Sequence, residues 1–167
     1  MICLGDSMEI VKYTEQYREN VKELLVELQE YIVNLDKEGY NIITPEFKEK
    51  YFNKVIQEVF AYEGSILLAK EQGNIVGLVV GIINNEEEYS YDFKAPKRGR
   101  VTELVVSKKF RGQGVGVRLL EAMEDYFVQS GCSGSMIGVF AYNEEALQFY
   151  KQHGYFIRTM DIMKKLD

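Results

Sequence analysis

Apolar positions along this chain follow two periods, and the switches between them mark out its elements. Residues 8–13 predict a first strand. Val21, Leu24, Leu25, Leu28, Ile32 and Leu35 then recur at helical spacing, one apolar face on a helix that ends near Gly39. Thr44 before Pro45 is a cap for a second helix, with Phe47, Tyr51, Val55 and Val59 along one side. Strands are predicted at 65–70 and 75–83, joined by Glu71-Gln72-Gly73-Asn74, a hairpin turn by composition. Another strand at 100–106 runs into a glycine-rich stretch. After it comes a helix with Leu119, Leu120, Met123 and Phe127 inward, which Gly131 can stop in the left-handed conformation. A strand at 135–140 and a helix at 143–152, closed by Gly154, follow. The segment 155–165 reads as one or two further strands. The order β-α-α-β-β-β-α-β-α-β is an α/β pattern.

With 167 residues, no repeats and no linker-like stretch, residues 1–167 are expected to form one domain with a substantial core. Hydrophobic residues make up 46%, which predicts an ordered globule. The net charge of −6 argues against a nucleic-acid binder, which needs a basic face, and suits a cationic or amine-bearing partner. Two cysteines, Cys3 and Cys132, with a single His153, supply neither a disulfide framework nor metal-ligand spacing, so no metal is expected. The opening Met1-Ile2-Cys3-Leu4-Gly5-Asp6 has no basic segment ahead of an apolar one, and no run reaches the about 18 residues of a membrane span. A cytoplasmic protein without membrane contact is the expectation.

The run Leu104-Val105-Val106-Ser107-Lys108-Lys109-Phe110-Arg111-Gly112-Gln113-Gly114-Val115-Gly116-Val117-Arg118 joins a strand to a helix through three alternating glycines. Glycines there leave backbone N–H groups bare where a helix begins, a ready anion site at the positive end of the helix dipole. A tight turn with close helix packing is the alternative. A Walker loop would end in Gly-Lys-Ser/Thr, but Gly116 is followed by Val117 and Arg118. The dinucleotide fingerprint needs G-x-G-x-x-G early in a doubly wound sheet; here the spacing is G-x-G-x-G, in the last third of the chain.

Arg111-x-x-Gly114-x-Gly116 resembles the acyl-CoA-binding motif of the GNAT N-acetyltransferase superfamily, Gln/Arg-x-x-Gly-x-Gly/Ala. Residues 143–155, with Asn143, Ala146, Phe149, Tyr150, Gly154 and Tyr155, resemble that family's Asn-x-x-Ala-x-x-Phe-Tyr-x-x-x-Gly-Phe element. The two blocks stand in the family's order and at about its spacing. The resemblance implies a GNAT acyltransferase fold: a mixed, mostly antiparallel central sheet flanked by helices, with a cofactor cleft where the fourth and fifth strands splay apart. It implies transfer of acetyl from acetyl-CoA to a primary amine by direct attack, with no metal. A small, cationic amine is the favoured acceptor. A protein N-terminus or lysine is an alternative, as is a non-catalytic acyl-CoA-binding sensor. A homodimer is left open.

The resemblance also distributes roles. Backbone N–H groups of Gly112, Gln113, Gly114, Val115, Gly116 and Val117, behind Arg111, hold the CoA pyrophosphate. Leu104, Val105 and Val106 pair with the pantetheine amides like an added strand. Lys108 and Lys109 either attract the nucleotide end or are solvated turn residues. Asn143 is a helix cap that also touches the cofactor. Tyr150 is the general acid for the departing thiolate, or else a packed helix-face aromatic. Glu103, two residues from the pairing backbone, is a candidate base, with a solvated strand-edge charge as the alternative. Glu86-Glu87-Glu88 to Asp92 is a solvated acidic loop or an acceptor wall, to which Tyr31, Asp36 and Tyr40 are further candidates. His153 and Cys132 are expected to be a surface residue and a small packed residue.

Overall fold

The computed structural model describes residues 8–84, 89–90, 93–94 and 96–166. The elements are β1 (Met8–Lys12), α1 (Arg18–Leu35), α2 (Phe47–Ala61), β2 (Ser65–Glu71), β3 (Asn74–Asn84), β4 (Arg98–Val106), α3 (Val115–Gln129), β5 (Gly134–Ile137) and α4 (Glu144–Gln152). A separate two-residue ladder pairs Tyr89–Ser90 with Phe93–Lys94. The main sheet has the order β1-β2-β3-β4-β5. Its first three pairings are antiparallel and the last, β4 with β5, is parallel.

Each face of this sheet is covered because its strands alternate apolar residues between two helical layers. On one face Val21, Leu24 and Leu25 of α1 and Phe52 and Val55 of α2 pack on Leu68, Leu78, Val80 and Val105. On the other, Leu119, Leu120, Met123 and Phe127 of α3, with Tyr150 of α4, pack on Ala69, Val79 and Val101. Burying a leucine such as Leu25 or Leu119 contributes about 1.5–3 kcal/mol. Phe127 fits only because Gly81 and Gly99 carry no Cβ; one at either place would stand inside van der Waals contact of its ring. The two helices of the first layer are tied by the Lys22 ammonium, 4% exposed, which contacts both Glu19 and Glu49.

The hairpin between β2 and β3 turns on two left-handed residues, Gln72 (φ 48°) and Gly73 (φ 86°), the geometry of a two-residue type I′ connection. Several boundaries differ from the sequence expectation. α1 stops at Leu35, four residues before Gly39, because Asp36 leaves the helix in extended conformation. Its carboxylate then accepts both the backbone and the side-chain N–H of Asn41, at 2.6 and 2.8 Å, which hold the carboxyl down at about 2. Thr44 does not cap α2. Its carbonyl accepts the Phe47 N–H in a preceding turn, and Glu46 occupies the cap position without a side-chain bond.

The largest correction concerns the chain after α4. The predicted strands over 155–165 do not form. Gly154 turns at φ 87°, Tyr155 donates its N–H to the Tyr150 carbonyl, and the chain runs on without a ladder partner. Apolar residues supply strand propensity, but a strand also needs a paired backbone, and this segment makes no ladder with the described residues. The strand predicted at 135–140 is likewise shorter, ending at Ile137.

Candidate active site

The sheet opens between its last two strands. β5 pairs with β4 only at Arg98, Gly99, Arg100 and Val101, opposite Gly134, Ser135, Met136 and Ile137. Beyond Val101 the two strands part. The opening starts at a bulge: Gly81 of β3 faces Val101 and Val80 faces Glu103, so Thr102 is an extra residue on β4. The bulge also reverses the facing of β4. Val101 belongs to the α3 layer, while Glu103 and Val105 turn toward α1 and α2. A regular strand would have kept residues 101, 103 and 105 on one side.

Past the bulge, β4 presents backbone to the opening. The Ser107 N–H bonds to the Val76 carbonyl on β3 at 2.9 Å. By the alternation of an antiparallel ladder, Val105 also points its polar groups at β3, whereas Leu104 and Val106 point theirs the other way. The Val106 carbonyl accepts from Arg111 Nε at 2.9 Å. The Leu104 and Val106 side chains pack on the α3 layer, and Val105 is buried in the opposite one.

The glycine stretch follows directly. Gly112 (φ 73°) and Gly114 (φ 79°) are left-handed, and Gly114 is the cap residue of α3 with no side chain to offer. The first backbone bond into this helix is donated by Arg118, to the Gly114 carbonyl at 3.2 Å. The N–H groups of Val115, Gly116 and Val117 accordingly sit at an uncapped helix start, with no acidic residue in that first turn. Gly116 is different from its neighbours. It lies inside the helix, and a Cβ there would rest at ordinary contact distance, 3.7 Å, from Val106 and from the Phe149 ring. Gln113 folds back onto the loop, donating to the Lys109 carbonyl at 3.0 Å.

Arg111 is less free than its motif position implies. It bridges the Val106 carbonyl and the Glu27 carboxylate of α1 (3.2 Å), and its guanidinium lies 5.6 Å from the Tyr31 ring. Glu27 also accepts the Lys108 N–H at 2.9 Å. Tyr31 donates to Asn143 Oδ1 at 3.2 Å, and the same oxygen caps α4 by accepting the Ala146 N–H at 3.1 Å. Asn143 is therefore a cap, as expected, and it ties α4 to α1 across the loop.

Glu103 is buried, 9% exposed, which removes the reading of a solvated edge charge. Tyr51 Oη donates to its Oε1 at 2.6 Å. Burial raises the Glu103 carboxyl to about 7, against the opposing pull of the Tyr51 bond and the Lys54 ammonium. Burial and the same carboxylate push the Tyr51 phenol far above its ordinary value. Tyr150, 8% exposed, packs edge-on against Phe149 and Tyr155, at 5.1 and 5.5 Å between ring centres. Burial alone raises its phenol, so it stays protonated. Its hydroxyl has no hydrogen-bond partner among the described residues.

Glu103 and Tyr150 stand on opposite faces of the sheet, Glu103 against Tyr51 of α2 and Tyr150 in the α3 layer. Sequence reasoning missed Tyr51 and Glu27. Tyr51 was counted in the α2 stripe, and nothing local ties it to a residue 52 positions away. Glu27 sits on α1 with no motif around it. His153 ends α4, its ring nitrogen Nδ1 at 2.7 Å from the Phe149 carbonyl, and Cys132 packs on the α3 layer. The acidic run 86–88, with Asp92, lies outside the described residues. Tyr40, a proposed wall residue, is exposed. Among the described residues no group of three or more His, Cys, Asp or Glu could hold a metal, and no helix is long and apolar enough to cross a membrane.

Residues 29–155 match the model of the acetyltransferase (GNAT) family. An uncharacterized N-acetyltransferase of Methanocaldococcus jannaschii is 29% identical over 111 residues, 65% of this chain. The match spans 64% of that relative, less than two thirds of its length. Among solved structures, a tetramutant of the BH1408 protein from Bacillus halodurans superposes with a TM-score of 0.82 at 20% identity, over 95% of this chain and 99% of that one. The aminoglycoside N-acetyltransferase AAC(6')-Iy in complex with CoA superposes with a TM-score of 0.73 at 15% identity, over 99% of both chains. At such identities the likeness is one of fold.

Proposed function

Because the chain belongs to the GNAT acetyltransferase family, we propose that it transfers an acetyl group from acetyl-CoA to a primary amine in the opening beside β4. The observation that carries this reading is the junction of an unpaired strand edge with an uncapped helix start, over residues 104–117. An extended amide chain fits the first and a diphosphate the second. The outward backbone of Leu104 and Val106, where the Val106 carbonyl accepts from Arg111, receives the pantetheine arm, and the N–H groups of Gly112 to Val117 receive the pyrophosphate. Acetyl-CoA supplies the acetyl thioester.

Glu103 takes up the proton that the acceptor ammonium must lose before its nitrogen can attack. With a carboxyl raised to about 7, it is a far better base than an ordinary glutamate near neutral pH. Tyr51 is a positioning residue that fixes one carboxylate oxygen. The Val106 N–H faces the thioester carbonyl and stabilises the charge that develops on its oxygen. Tyr150 hands its proton to sulfur as the carbon–sulfur bond breaks and the carbon–nitrogen bond forms. Positioning and proton transfer carry the rate.

A small, cationic amine is the favoured acceptor, on the −6 net charge and the Glu103 carboxyl beside the bulge where the sheet opens. The test is thiol release from acetyl-CoA with polyamines, aminoglycosides, amino acids, and lysine or N-terminal peptides, against neutral and anionic amines. Binding of acetyl-CoA without thiol release for any acceptor in the panel would favour the sensor reading. Preference for a peptide would favour the protein-modifying one.

A further inference from the structure

Glu27 stands on α1, far in sequence from the glycine loop, yet one of its carboxylate oxygens meets the start of that loop twice. Oε1 accepts the Lys108 N–H at 2.9 Å and Nη2 of Arg111 at 3.2 Å. Both donors lie in the stretch 107–114 that joins β4 to α3. Arg111 also donates from Nε to the Val106 carbonyl at 2.9 Å. One chain of contacts therefore runs from α1, through the guanidinium, to the outward backbone of β4.

That chain braces backbone that cannot brace itself. Gly112 and Gly114 are left-handed and have no side chains to anchor them. A diphosphate seat built from the N–H groups of Gly112 to Val117 holds its ligand only if those donors converge. On the β4 side the connection is tied by the Ser107 N–H to the Val76 carbonyl, at 2.9 Å, and by the Phe110 N–H to the Ser107 carbonyl, at 2.8 Å. On the α1 side the tie is Glu27, and its support is firm. Leu24 and Leu25 of the same helix are buried against the sheet. Tyr31, one turn beyond Glu27 on the same face, donates to Asn143 Oδ1 at the start of α4.

Charge alone would not put a glutamate there. A carboxylate repels a diphosphate and neutralises the nearest guanidinium. The pair also gives little stability in return, because its side chains are 40% and 31% exposed. We propose that Glu27 is a positioning residue for acetyl-CoA. By holding the Lys108 N–H and the Arg111 guanidinium on one oxygen, it fixes the connection 107–114 and the outward backbone of Val106 in the shape that receives diphosphate and pantetheine. Arg111 serves through the same contact, with its guanidinium directed at the Val106 carbonyl and Glu27 rather than given over to a phosphate. The role rests on the acetyltransferase reading, and its test separates the two.

The experiment compares the whole chain with Glu27→Ala and Glu27→Gln by calorimetry with acetyl-CoA, by steady-state kinetics and by melting curves. Alanine removes both contacts, whereas glutamine keeps an oxygen able to accept both N–H groups and removes the charge. Glu27→Ala is expected to bind acetyl-CoA about tenfold more weakly and to raise its KM to match, with kcat within about twofold and the KM of the acceptor unchanged. Glu27→Gln should recover most of that affinity. Both variants should melt within about 2 °C of the parent, because the substituted side chain is on the helix surface. Unchanged affinity in Glu27→Ala overturns the proposal, and tighter binding in both variants does so too, leaving Glu27 as a repulsive charge only. Glutamine as weak as alanine would assign the effect to charge and overturn positioning. A loss shared by kcat, acceptor KM and melting temperature would make the residue merely structural. A parent chain without affinity for acetyl-CoA overturns the acetyltransferase reading and this role with it, whereas a parent that binds beside variants that match it removes Glu27 alone.

Discussion

Tyr51 Oη lies 2.6 Å from Glu103 Oε1, joining α2 to β4 just after the bulge where the sheet opens. That bond and the burial of Glu103 act in opposite directions on the same carboxyl. Burial disfavours its charge more strongly than the phenol favours it, and the group settles at about 7.

The first prediction follows for activity and stability together. The rate, as kcat/KM, should rise with pH through an acidic limb near about 7 as Glu103 loses its proton. Glu103→Gln should abolish that limb and lower turnover by about 10²–10⁴-fold. Stability runs the other way. The folded chain holds this proton up to about 7, whereas an unfolded glutamate releases it near 4.5. Between those values the folded state binds more protons, so its stability declines as pH rises and levels off above about 7. The gap corresponds to about 3 kcal/mol. Glu103→Gln should therefore melt higher than the parent at pH above about 7 and lose that advantage below about 5. Melting curves that stay parallel across pH would contradict the burial of a titrating carboxyl.

Tyr51→Phe keeps the ring, its stacking on Phe47 at 4.8 Å and its packing, and removes only the hydroxyl. Because the phenol holds the carboxyl down, its loss should move the acidic limb to higher pH. A merely structural tyrosine would change stability and leave the limb where it was. The pH dependence of kcat/KM decides between these.

Much of this arrangement is legible in the sequence, and the remainder fails for reasons that can be named. The α1 face, the Gln72-Gly73 turn, the Gly131 and Gly154 stops and the glycine loop before α3 are local patterns, and local patterns survive folding. The two faces of the sheet follow from alternation until Thr102, where one extra residue changes the parity. Nothing in residues 101–105 announces that bulge. The Tyr51–Glu103 and Glu27–Arg111 pairs depend on helices crossing distant strands, which spacing cannot show. The strands predicted after Gly154 have apolar content but form no ladder with any described residue, a requirement that no window of sequence contains.

The glycines of the loop should separate into two kinds. Gly114→Ala places a side chain at φ 79° and should lower stability by about 1 kcal/mol or more as well as cofactor affinity. Gly116→Ala meets only ordinary contacts at 3.7 Å within a helix, so stability should hold. Its methyl would stand beside the proposed pyrophosphate seat, and affinity for acetyl-CoA should fall. Calorimetry with melting curves tests both. Unchanged affinity in Gly116→Ala would move the diphosphate elsewhere.

Tyr150→Phe should separate binding from turnover. The ring keeps its edge-on contacts with Phe149 and Tyr155, and the hydroxyl has no partner among the described residues to lose. Affinity for acetyl-CoA should stay within about twofold, while kcat falls by about 10²–10⁴-fold. An unchanged kcat with the preferred acceptor would mean that the thiolate takes its proton from water.

The last prediction tests what holds the α3 layer against the sheet. Gly81 and Gly99 sit on neighbouring strands, and an added Cβ at either would overlap Phe127, which is 2% exposed. The ring cannot yield easily, because Met123 and Leu119 are fully buried beside it. At Gly99 the overlap is with ring atoms close to the Phe127 backbone, so the helix itself would have to shift. Overpacking of this kind costs about 1–3 kcal/mol, and more where backbone must move. Gly99→Ala should therefore lower the melting temperature by several degrees. Phe127→Leu in the same chain should restore part of the loss, because the smaller side chain vacates the space the methyl needs. By itself Phe127→Leu leaves a void and should destabilise. A double variant less stable than the sum of the two singles would show that the glycine is there for some reason other than the ring.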